Sequence, residues 1–121
     1  MQYHCLVYFD PREVFDGSPQ ANALLDEVGP TIERLTKSGH LLMFQPLNLP
    51  QEAITVHMRD GTVFTADGPF METKEVLGGI MLIEARDLNE AVQVAAGIPH
   101  ARRGHVEVRP VIDFGKPRPV L

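Results

Sequence analysis

Three short runs in this chain, CLVYF at 5–9, LLMF at 41–44 and IMLI at 80–83, are apolar at consecutive rather than alternating positions. A strand sends successive side chains to opposite faces, so strands of this kind need apolar cover on both sides. What the rest of the chain can lay against them decides the fold. Residues 2–9, QYHCLVYF, are rich in β-formers and end at Asp10-Pro11, which reads as a first strand. Ser18 then Pro19 start a helix, and Leu24, Leu25, Val28, Ile32 and Leu35 keep helical spacing until Lys37 and Gly39 close it. Gly29-Pro30 interrupts that helix and predicts a kink or two abutting helices.

The segment HLLMFQPL reads as a second strand, ended by NLPQE, and AITVHMRDGTVFTA as two short strands joined at Asp60-Gly61, a pair that tolerates the positive φ of a tight hairpin. IMLIE at 80–84 is a further strand. Asp87 with Glu90 three residues on resembles a capping box, Leu88, Ala91, Val92 and Ala95 mark the buried stripe of a second helix, and Gly97 with Pro99 stops it. HVEVRPVI is the last strand. The order is β-α-β, a hairpin, then β-α-β: an α+β, ferredoxin-like split βαβ with an inserted β-hairpin and an antiparallel sheet. Two helices cover one face only. A second copy of the same sheet is the simplest cover for the other, which predicts a two-fold homodimer.

The 121 residues, 44% hydrophobic and 22% charged, suit one domain at 1–114 with an irregular tail at 115–121. No apolar run approaches the roughly 20 residues of a membrane span, and the first residues lack a basic and cleavable leader, so the expected location is cytoplasmic. A net charge of -5, with Arg102-Arg103 as the densest basic group, argues against nucleic acid. Cys5 is the single cysteine and lies in an apolar strand, which reads as an inert buried thiol. The five histidines show no metal-ligand spacing and the chain has no GxGxxG or Walker pattern, so neither metal nor organic cofactor is expected.

The stretch TADGPFMETKEVLGG, 65–79, joins a turn at Asp67-Gly68-Pro69, a charged segment and a glycine pair that admits a bulge or close backbone approach. Along the last strand His105, Glu107 and Arg109 share a face, and along the first His4, Leu6, Tyr8 and Asp10 do. One reading of these charges is a structural salt-bridge network in which Glu107 and Arg109 pair across strands or with the Glu72 and Lys74 segment. The sharper one makes Asp67, Glu72 or Glu107 a general base and Lys74 or Arg109 an anchor for an anionic or enolic ligand, with Tyr8 and Phe70 also against the ligand.

DGPF at 67–70, ETKE at 72–75, LGG at 77–79, DLNEA at 87–91 and VEVRPV at 106–111, in this order, resemble the YCII-related family in the branch named after its DGPF tetrapeptide. With the hairpin MRDGTVFTADGPF the likeness covers residues 1 to about 113. It implies a dimeric ferredoxin-like α/β barrel. Family members include small cofactor-free enzymes, among them a dehydrochlorinase of an aromatic ring compound, and proteins encoded beside alternative sigma factors. A His and an Asp proposed as catalytic in another branch align with Val28 or Gly29 and with Gly97 or Ile98, so that dyad is absent. The expectation is a cofactor-free proton-transfer enzyme, an elimination or an isomerisation, with its cleft at the DGPF loop. The alternatives are a ligand-sensing or protein-binding regulator, linked to a sigma factor, and a plain structural dimer.

Overall fold

The structure, a computed structural model, describes residues 1–121. Four antiparallel strands, β1 (Gln2–Phe9), β2 (Leu41–Pro46), β5 (Val76–Glu84) and β6 (Gly104–Pro110), form one sheet in the order β2-β5-β1-β6. This is the ferredoxin-like arrangement, in which the chain's first strand lies in the middle of the sheet. The hairpin of β3 (Ile54–Arg59) and β4 (Thr62–Asp67) forms a separate two-stranded sheet. Its turn residues Asp60 and Gly61 have φ of 51° and 77°, the conformation that matches strand twist and that Asp-Gly adopts readily.

Tyr3, Cys5, Val7 and Phe9 of β1 and Met81 and Ile83 of β5 point to one face, where they meet Leu35 of helix α3 (Val28–Lys37) and Ala91, Val94 and Ala95 of helix α4 (Leu88–Ala96). Val106 and Val108 of β6 pack against the same core. Fully burying a side chain such as Ile83 contributes about 1.5–3 kcal/mol, so this one-sided layer holds the fold together. On the other face Leu6 stands opposite Ile80 and Met43 opposite Leu82, and all four are half-buried. Cys5 is fully buried, and desolvation pushes its thiol up to about 11.

The long first helical segment divides into α2 (Pro19–Asp26) and α3, which abut at Glu27. Pro30 falls in the first turn of α3, where a missing N–H is harmless, and the chain breaks three residues before it. A short helix, α1 (Pro11–Val14), follows β1 directly, which the sequence reading did not anticipate. Asp10 starts it by accepting from the Arg12 N–H at 3.0 Å. The α4 cap is a variant of the box: Asp87 accepts from the Glu90 N–H at 2.9 Å, while the Glu90 carboxylate reaches the Arg86 N–H instead, at 3.1 Å. Glu90 also meets His40 Nε2 at 3.3 Å, and Ser38 Oγ holds the other ring nitrogen at 2.7 Å, tying the end of α3 to the start of α4. No helix or strand follows Pro110, and residues 111–121 are exposed.

The glycine pair is used twice over. Register slips by one residue between Val7 and Tyr8, leaving Gly78 as the extra residue of a bulge, and the Phe9 ring lies so close that a Cβ at Gly78 would sit 2.1 Å from it. The same ring stacks on His100 at a centroid distance of 5.1 Å. Burial holds His100 below the ordinary 6.5 of a histidine. The unfolded chain therefore binds this proton more readily, and the His100 contribution to stability is complete above pH 6.5 and lost as pH falls through the folded value. In denaturant titrations the midpoint should fall below pH 6.5, and His100→Phe should flatten that decline. An unchanged slope in the variant would assign the decline to other groups.

Candidate functional site

Where β1 runs into α1, the connection 47–53 from β2 and the loop 68–75 close around a cleft of about 1350 Å³. The loop is held at its origin: the Gly68 N–H donates to Ala53 O at 2.7 Å and Thr55 Oγ1 to Gly68 O at 2.9 Å. Gly68 has φ 92°, which explains the glycine after Asp67 at this turn. Further on, Thr73 Oγ1 donates to Glu75 O and turns the chain into β5.

On the opposite wall Asp10 is buried and Arg12 exposed. Arg12 donates twice to it, Nε to Oδ1 at 3.2 Å and Nη2 to Oδ2 at 3.1 Å. These bonds hold the Asp10 carboxyl below its ordinary value and raise that of Arg12, so the pair is ionised and the guanidinium is fixed at the cleft. Five carboxylates, Asp10, Glu52, Asp67, Glu72 and Glu75, face two cations, Arg12 and Lys74, in the cleft lining. After Asp10 is matched by Arg12, the remaining lining is acidic.

At the inner edge Glu75 Oε1 lies 2.8 Å from His105 Nδ1. His105 stands opposite Tyr8 in the β1–β6 register; it does not itself line the cleft, and it is joined to the lining through Glu75 and its strand neighbour Tyr8. A carboxylate on Nδ1 fixes the tautomer with the proton there and leaves Nε2 free to accept. The His105 side chain is 78% exposed.

The model of the family described as YCII-related domain matches residues 1–115. The chain belongs to that family. Over 61 residues it is also 41% identical to an uncharacterised protein of Rhizobium meliloti (strain 1021), a match covering 49% of each chain. It thus spans about half the length of that curated relative.

In this YCII-related chain the residues singled out from sequence separate into two groups. Asp67, Phe70, Glu72, Lys74 and Tyr8 all line the one cleft. Phe70 stands at its mouth with 82% of its surface exposed. Glu107 and Arg109 do not line it; they lie further along β6, opposite Leu6 and His4, and Arg109 Nε donates to Glu107 Oε2 at 2.9 Å. The network between this pair and the Glu72–Lys74 segment does not form, because two residues on one strand face already satisfy each other. Sequence reasoning missed Glu75, His105, Asp10 and Arg12 as members of one site. Strand register was the signal: a split βαβ places the last strand beside the first, which brings His105 next to Tyr8 and within reach of the loop entering β5. No group of three or more His, Cys, Asp or Glu side chains is placed to share a metal ion. No helix is long and apolar enough to cross a membrane.

Proposed function

We propose that this YCII-related protein is a small enzyme, working without an organic cofactor, that moves a proton on a small carbon acid bound in the cleft. The His105–Glu75 hydrogen bond at the cleft edge carries this reading. His105 Nε2 takes the proton from carbon, and the electron pair passes to the adjacent carbonyl oxygen, where Arg12 or Lys74 meets the developing charge. The proton then returns to a second carbon in an isomerisation, or a leaving group departs with its electron pair in an elimination. The acidic lining favours a neutral, enolisable ligand over a strongly anionic one.

The reading is tested by incubating the protein in heavy water with a panel of small β-dicarbonyl and ring-ketone compounds and following loss of the carbon-bound proton by NMR. Exchange above the buffer rate is expected for at least one compound. Ligands that raise the melting temperature without exchanging would instead favour a sensing module, a second reading to which the exposed Phe70 and Met71 at the cleft mouth give support. Neither binding nor exchange across the panel would remove both.

A further inference from the structure

Arginine carries its N–H groups in one rigid plane, so a guanidinium held along one edge still presents the next. Arg12 is held in this way. Its Nε–H and one N–H of Nη2 go to the two carboxylate oxygens of Asp10, at 3.2 and 3.1 Å, and the same carboxylate caps α1 through the Arg12 backbone N–H at 3.0 Å. The Asp10 side chain is 5% exposed and that of Arg12 78%, so the clamp is buried while the group it holds is in water. Asp10 takes the edge formed by Nε and Nη2. The edge formed by Nη1 and the second N–H of Nη2 stays open, with two parallel donors spaced for two oxygen atoms side by side. Lys74, the other cation of the lining, is an ammonium on a flexible stem, a point charge with no preferred edge.

The sheet sets this clamp beside the base. Phe9 pairs with Val76 on one side and Gly104 on the other, so Asp10 leaves the sheet at the end where Glu75 enters it and His105 follows Gly104. We propose that Arg12 makes the cleft selective for a 1,3-dicarbonyl compound whose two oxygens lie on one side, taking both oxygens of its enolate, with Asp10 as the positioning residue. This choice of substrate class rests on the proton-transfer reading. In the neutral diketone the two carbonyl dipoles turn apart, whereas the enolate brings both charged oxygens onto one cation, so the fork binds the product of proton removal better than the compound that enters. A monoketone offers the fork one oxygen. A plain ring 1,3-dione offers two that point apart. The acidic remainder of the lining fits the same order of events, since the compound arrives neutral and gains its charge only opposite Arg12.

A binding experiment tests this without turnover. Cyclohexane-1,3-dione and its 2-acetyl derivative are both enolates at neutral pH, and only the acetyl compound can set two oxygens side by side. NMR titration of the full chain is expected to show the acetyl compound bound about tenfold more tightly. Arg12→Lys keeps the charge and loses the fork, so this preference should fall to about twofold while the plain dione binds as before. Asp10→Asn should shrink the preference in the same direction with Arg12 still in place. Equal binding of the two compounds by the wild type, binding of neither, or a preference that survives Arg12→Lys would overturn the proposal. A preference lost in Arg12→Lys but untouched in a folded Asp10→Asn variant overturns the positioning role. Should the Asp10 variant fail to fold, Arg12→Lys, a change at an exposed side chain, decides the selectivity by itself. The expected preference without any exchange of carbon-bound protons leaves the fork standing and removes only the enzymatic reading; exchange without the preference does the reverse.

Discussion

Replacing Gly104 with alanine is expected to destabilise the fold by about 3 kcal/mol and to lower the melting temperature by roughly 10 °C. Gly104 begins β6 opposite Phe9, and a Cβ there would lie 2.1 Å from the Tyr8 carbonyl oxygen, with His100 O and Phe9 Cα both at 3.2 Å. All three neighbours are backbone, so no rotamer change relieves the contact; β6 must move away from β1 or the 99–102 turn must open. Gly97, at the end of α4, provides the contrast. There the nearest atoms to a Cβ are at 3.4 and 3.5 Å, and alanine should change stability by less than about 1 kcal/mol. Parallel thermal and denaturant melts of the two variants check the difference. If Gly104→Ala melts with the wild type, the strand contact is looser than this packing implies.

The second large effect is chemical. His105→Gln keeps a polar side chain of similar reach but removes the base, and it should slow carbon-proton exchange at least a hundredfold while ligand-induced stabilisation is retained. Glu75→Gln leaves the base and loses the carboxylate that fixes its tautomer, so its loss should be smaller, on the order of tenfold. The double variant should be no slower than His105→Gln, because the two residues act as a unit. Full exchange by the His105 variant would transfer the role of base to Asp67 or Glu72, which line the same cleft.

Periodicity and punctuation carried most of the fold. The Asp60-Gly61 turn, the Asp87 start of α4 and the apolar runs of β1 and β5 are local signals, and local chemistry decides them. What stayed hidden depends on partners distant in sequence. Asp10-Pro11 carries the same cap-then-proline signature as Ser18-Pro19, yet after a strong strand it reads as a strand end, so α1 was missed. Glu75 sits in a charged run whose ordinary fate is solvent, and only the docking of β5 and β6 on either side of β1 shows that it reaches His105. Glu107, by contrast, looked equally available on its strand, and a neighbour two residues away claims its carboxylate.

Cys5 lies at the centre of β1, with strands on both sides and the helical layer against its face, and its proton is held up to about 11. As the only thiol in the chain it is silent to alkylating reagents while the sheet is closed, and it becomes reactive only when β1 separates from its neighbours. The molecule therefore contains its own clock for global opening. The rate at which one buried sulfur is labelled reads how often the whole sheet comes apart, without adding a probe or altering a residue.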